Sequence, residues 1–210
     1  MKDFREINID WKAVEKELLT LENLLTTYQE LEESSQLLPF FKQSPNLSAL
    51  IGKCYFPDLA EINRISYEFD FFGDFKADLV IGDAKKASFI FVEFEDGKSD
   101  SIFKKKKGKY QKEWSVRFEH GYSQIIDWFW KLEDLRQTSS LEGKFGTRIR
   151  SYNGILIVGR ATSLDNIIDR ERLDWRRSNT IINSKKIHCI TYDELLEDLK
   201  QLIKYLQFIK

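Results

Sequence analysis

At 210 residues and 42% hydrophobic content, the chain has material for one large buried core, or for a domain with a helical extension, and a disordered chain is excluded. Its 33 basic and 34 acidic side chains give a formal net charge of -1, so no global attraction draws it to nucleic acid or to an anionic membrane, and any such binding has to come from local patches. Cys54 and Cys189 form no CxxC pair, which argues against a structural zinc site and for buried thiols in a reducing compartment. The opening MKDFREINIDWKAVEKEL is charged rather than signal-like, and no apolar run approaches membrane-spanning length; a cytoplasmic protein without a membrane partner is the expectation.

In chain order, residues 10 to 38 predict one amphipathic helix, because Trp11, Val14, Leu18, Leu21, Leu25, Tyr28 and Leu31 recur at spacings of three and four. Such a stripe packs on its own chain or seeds a homo-oligomer through this helix. Over residues 32 to 50, Pro39 and Ser44-Pro45-Asn46 cut the helical pattern into short pieces. Residues 62 to 72 predict a strand with Ile65, Tyr67, Phe69 and Phe71 on one face, closed by the turn Gly73-Asp74. Two further strands follow, 77 to 81 and 88 to 95, broken by Gly82-Asp83-Ala84-Lys85-Lys86. Three strands with no room for crossover helices imply an antiparallel meander.

The period of two in the third of these strands puts Glu93 and Glu95 on the face of Phe89 and Phe91, opposite Ile90, Val92 and Phe94. Asp78, early in the preceding strand, can reach the same end of a hairpin. Acids clustered beside so much apolar surface are costly without a cation, and a hard divalent ion with oxygen ligands is the usual answer. Alternating acids also suit a sheet face open to water, so the residues by themselves leave that alternative standing.

Beyond Glu95 the chain turns polar and basic. Lys104, Lys105, Lys106 and Lys107, with Lys109, form the strongest charge run; such a run is usually a solvated loop, and flanked by Tyr110 and Trp114 it suits the neutralising of phosphates. Residues 114 to 135 predict a largely buried helix on which Arg117, His120 and Gln124 share a face. A polar linker from 137 to 150, a doubly buried strand at 154 to 158, a salt-bridged helix at 163 to 177, a short strand at 187 to 190 and a final helix opened by the Thr191/Glu194 capping box complete the chain. The last helix carries the stripe Leu195, Leu199, Leu202, Leu206 and Ile209.

An αβββαβ order with an Asp in the second strand, then Glu-x-Lys in the third, is the pattern of the PD-(D/E)xK nuclease superfamily, and the arrangement here resembles it. More narrowly, FFGDFKADLVIGD, FIFVEFED, HGYSQIIDW, NGILIVGR and HCITYDELLEDL resemble the Shedu family of bacterial anti-phage nucleases over roughly residues 30 to 205. The resemblance implies an α/β (α+β), restriction-endonuclease-like core of αβββαβ order, with a mixed central sheet flanked by helices. It divides the chain into an N-terminal helical segment, 1 to 60, and a nuclease core, 61 to 210, or one continuous domain from about 30.

By the same resemblance Asp78, Glu93 and Glu33 bind Mg²⁺ or Mn²⁺, the Phe94 carbonyl is a backbone ligand, and Gln124 helps place the cleaved phosphate or a lysine. Lys98, Lys104 to Lys107, Arg117 and His120 hold DNA. Glu95 departs from the pattern, which has lysine there. On this reading Glu95 is catalytic with Asp78, Glu93 and Gln124, and either Lys98 or the lysine loop replaces the missing cation, or the added acid helps hold a second ion. The implied function is metal-dependent hydrolysis of DNA in defence against phage. The alternative is a catalytically degenerate module of the same fold that binds nucleic acid or a protein.

Overall fold

The structure is a computed structural model that describes residues 4–57, 59 and 61–208. A short edge strand β1 (Arg5–Glu6) precedes the first helix α1 (Trp11–Thr27), whose N-cap Asp10 accepts a hydrogen bond from the Lys12 amide. The helix expected to run to residue 38 stops at Tyr28, because Leu31 leaves the helical path and forms an antiparallel bridge with Gly97, 66 residues on. A π-turn at Glu33–Leu37 then leads into α2 (Leu38–Gln43) and α3 (Pro45–Tyr55), with Pro39 and Pro45 in their first turns.

The meander follows as β2 (Arg64–Phe71), β3 (Phe75–Asp83) and β4 (Ser88–Phe94), paired antiparallel as the turn residues predict. A two-stranded hairpin, β5 (Phe103–Lys104) and β6 (Glu113–Trp114), comes next. So the basic stretch is closed by a hairpin rather than being an unstructured loop. Trp114 belongs to β6, and the helix expected from it begins two residues later as α4 (Val116–Asp134), capped by Ser115. The polar linker holds a helix, α5 (Ser139–Phe145), which buries Leu141 and Phe145 and ends at Gly146 in the left-handed region.

Strand β7 (Ser151–Ile157), a 3₁₀ turn at Ala161–Leu164, α6 (Ile167–Asn179), β8 (Ile187–Ile190) and α7 (Tyr192–Phe208) complete the described chain. The 3₁₀ turn and the Asn166 cap divide what the charge pattern joins into a single helix from 163. The Thr191/Glu194 capping box forms as expected, and Ile209 lies outside the described residues.

Among the described residues six strands form one mixed sheet in the order β1-β2-β3-β4-β7-β8, with β7 parallel to both β4 and β8. One face packs on α1, α3 and α7 around Leu79, Ile81, Ile90, Val92 and Phe94. The other packs on α4 and α5 around Phe89, Phe91, Trp128 and Phe145. The stripe of α1 is covered by α3 and α7 of the same chain.

Alternation holds along β4 but not along β2, where Ile65 and Tyr67 join the first cluster and Phe69 and Phe71 the second. Between them Glu68 has φ +49°, a left-handed residue that turns the strand over, so the four side chains do not share one face as expected. In β3 Leu79 and Ile81 face the first cluster, while Ala77 and Val80 face the second. That break falls at Asp78, where the β2–β3 pairing skips from Tyr67↔Leu79 to Phe69↔Ala77. No helix among the described residues is long and apolar enough to cross a membrane.

Candidate metal centre

The β3–β4 ladder ends at Leu79 and Val92. Past that pair the strands part, and the Phe94 amide, left without a backbone partner across the hairpin, donates to Asp78 Oδ2 at 2.9 Å. Asp78 is therefore fixed at the mouth of the split. Glu93 and Glu95 lie on the α4 face of β4 and its continuation, 5% and 1% exposed. On α4, Arg117, His120 and Gln124 share one face and meet them: Gln124 Nε2 donates to Glu93 Oε1, His120 Nδ1 lies 2.9 Å from Glu95 Oε1, and Arg117 donates to Glu95 Oε2 at 3.3 Å.

From the helical segment Glu33 joins the group, its backbone amide donating to Asp96 Oδ1 at 2.9 Å and its carboxylate 3.6 Å from Arg117. Asp96 also lies 3.2 Å from Lys98 Nζ and 3.6 Å from Arg117 Nε. The Tyr192 hydroxyl, buried at the head of α7, donates to the Glu95 carbonyl at 2.7 Å. Neither Asp96 nor Tyr192 stood out in the sequence. Asp96 was visible only as the last letter of the FVEFED motif, and Tyr192 carried no local signal.

The charge balance is lopsided. Burial, with the Asp78, Glu95 and Glu33 carboxylates alongside, pushes Glu93 well above the usual carboxylate range. Asp78 is pushed up to about 6 by burial, against the Phe94 hydrogen bond, and Glu33 to about 7 by burial and then by Asp78 and Glu95. Burial also raises Glu95, although His120 and Arg117 pull the other way. Glu93 Oε2 is buried with no hydrogen-bond partner. Among the described residues, ligand atoms of Glu93, Glu95 and His120 all lie within 4.8 Å of one another, a group that Asp78 and Glu33 do not join; Glu93 is thus the acid common to this trio and to the set expected from sequence.

Of the residues expected from sequence, Asp78, Glu93, Glu95, Glu33, Gln124, His120 and Arg117 are brought together. Lys98 stands at the edge and does not take the missing lysine's place on Glu95, because its ammonium is held by Asp96 and Glu32. The cations on Glu95 are Arg117 and, when protonated, His120. Lys104 to Lys107 sit apart on the β5–β6 hairpin, where Lys104 pairs with Asp100 and Lys106 with Glu113.

Fold and site together define a mixed α/β protein with a carboxylate cluster at the split end of a central hairpin, closed by one face of a single helix. The family model described as Shedu protein SduA, C-terminal, matches residues 30–196, which include every residue named in this cluster. The chain belongs to the Shedu family. A search of curated proteins gave no match.

Proposed function

We propose that the chain is a metal-dependent nuclease that hydrolyses phosphodiester bonds of DNA in defence against phage. The defence role is what membership of the Shedu family implies; the chemistry is our reading of the cluster. One observation carries it: Glu93 Oε2 is buried and no N–H group donates to it, the group it meets being another acid, Asp78, with Glu95 and Glu33 alongside. A hard divalent cation with oxygen ligands, Mg²⁺ or Mn²⁺, meets that deficit of positive charge. Asp78 and Glu93 would hold it with the Phe94 carbonyl, and Glu33 would close the set. When bound, such an ion polarises a phosphate oxygen and makes a bound water acidic.

The chain's own groups divide the remaining work. Gln124 fixes Glu93 Oε1, so the carboxylate cannot rotate away and its second oxygen is kept for ligation. Glu95 stands where the motif of the superfamily has lysine; held by His120 and Arg117, it is placed to orient the attacking water and accept its proton. Arg117, half exposed, brings positive charge to the rim, where a phosphate would dock. The antiparallel trio β2–β4, the helix α4 and the parallel strand β7, with acids at the split hairpin, support placing the fold with the PD-(D/E)xK nucleases.

A second reading, a binding module without catalysis, draws on one observation: both oxygens of Glu95 are already occupied by His120 and Arg117. Incubation of supercoiled plasmid and single-stranded DNA with Mg²⁺ or Mn²⁺ separates the two. Hydrolysis is expected from the wild type and to fall more than about 100-fold in Asp78→Asn and Glu93→Gln, beyond the loss of an outer-shell partner. Hydrolysis at the wild-type rate by either variant overturns the nuclease reading. DNA binding without hydrolysis by the wild type favours the module.

A further inference from the structure

The β5–β6 hairpin and α6 face each other across a groove that the metal centre does not use. Two hollows meet at Ile168: one of about 550 Å³ between Trp114 and Trp175, the other of about 330 Å³ rimmed by Lys105, Tyr110 and Lys112. The inner wall is a layered stack. The Arg172 guanidinium lies 4.5 Å over Phe103 and 5.5 Å over Trp114, and that of Arg176 lies 4.7 Å over Trp114 and 4.3 Å over Tyr122. Both arginines are anchored, Arg172 on the Lys112 carbonyl at 2.7 Å and Arg176 on Glu119 at 2.6 and 2.9 Å. These cations are therefore committed to holding the wall.

What remains open is aromatic and apolar. Trp175 is 68% exposed, Ile167 69% and Tyr110 95%, on a helix and a hairpin tip that are otherwise charged. Among the described residues Lys105 and Lys107 have no acidic partner, and both are exposed. Glu171 lines the aromatic hollow, whereas the acid lining the other hollow, Asp169, is neutralised by Lys112 at 3.0 Å, so a polyanion's backbone has to run along the lysine side.

We propose that this groove binds a single nucleic-acid strand, its unpaired bases stacking on Trp175 and Tyr110 and its phosphates meeting Lys105 at the rim and Lys107, two residues on in the same loop. A duplex hides its base faces, and an apolar peptide makes no use of the lysines; a single strand offers both flat faces and phosphates. One short segment serves both places: Trp114 lines the groove, Ser115 caps α4, and Arg117 in the first turn of that helix meets Glu95. That the bound strand is also the one hydrolysed rests on the nuclease reading; the binding itself does not.

The test is fluorescence anisotropy of labelled oligo-dT, oligo-rU and a duplex of equal length, with EDTA present, on wild type, Trp175→Ala and Trp175→Phe. Trp175 is a surface residue, and circular dichroism confirms that the variants are folded. Trp175→Ala is expected to weaken single-strand binding about tenfold and duplex binding less than about twofold, with Trp175→Phe restoring most of the loss. Equal losses on both substrates, no loss on either, or no single-strand binding by the wild type overturns the proposal. The oligo-dT and oligo-rU arms tell DNA from RNA. Plasmid hydrolysis measured in parallel separates the two failures: wild type that binds but does not cleave sinks only the nuclease reading, and Trp175→Ala that cleaves and binds single strands normally sinks only this one.

Discussion

Asp78 is subject to opposing forces: the Phe94 amide stabilises its charged form, whereas burial and the Glu95 carboxylate disfavour it, and the second influence wins, leaving the group at about 6. Its folded value lies above the unfolded one, so its contribution to stability is present below about pH 4 and is lost as pH rises through 6. A shift of this size is worth on the order of 3 kcal/mol. Asn lacks the charge. Metal-free Asp78→Asn is therefore expected to gain in Tm relative to the wild type between pH 5 and pH 8, and added Mn²⁺ to reverse the order at pH 8 by binding the ionised wild type. A difference in Tm that stays constant from pH 5 to pH 8 would contradict the assigned environment. That Glu93 and Glu95 share a face was legible in the sequence from the period of two in β4, and Asp78 could be placed at their end of the hairpin from the polar turn, although the alternation of β3 breaks at Asp78 itself. Asp96 was not: its role depends on the Glu33 amide, 63 residues away.

At the scale of elements, α4 sits against the sheet at two glycines. A Cβ on Gly121 would stand 2.6 Å from Leu156 Cδ1 and 3.0 Å from Glu95 Cγ, and one on Gly154 only 2.5 Å from Ile125 Cγ2. The helix can bring Arg117, His120 and Gln124 onto the acids because nothing separates it from β7 at these points. Gly121→Ala is expected to cost about 1–3 kcal/mol in denaturant unfolding, mainly through overpacking against Leu156 and Glu95. An unchanged midpoint would show that the contact is looser than described. The meander, β7, β8 and the α7 capping box were legible because their signals are local. The break in α1 and the face swap at Glu68 were not, since the first follows from the Leu31–Gly97 bridge and the second from a backbone turn in a perfectly alternating stretch. In α5 the spacing of Leu141 and Phe145 was hidden by its polar surroundings.

Across the whole molecule, the sheet separates two apolar clusters, and the carboxylate cluster sits at the split end of β3 and β4, with Glu33 from the N-terminal helical segment and Tyr192 at the head of α7 beside it. Arg160 ties these together: it donates to the Leu25 and Tyr28 carbonyls at the end of α1 at 2.9 and 2.8 Å, and pairs with Asp193 at the head of α7 at 2.9 Å. Glu33 is thereby held between α1 and the sheet. The exposed Trp175 was masked in the sequence by the arginines and acids around it, which read as a salt-bridged surface. On the proposed reading the buried acids are a cation site. Calorimetric titration of the intact chain with Mn²⁺ at pH 7.5, alongside Glu93→Gln, tests this most directly. Saturable uptake by the wild type, weakened at least tenfold in the variant, is the predicted result; no uptake by the wild type, or equal uptake by both proteins, would contradict it.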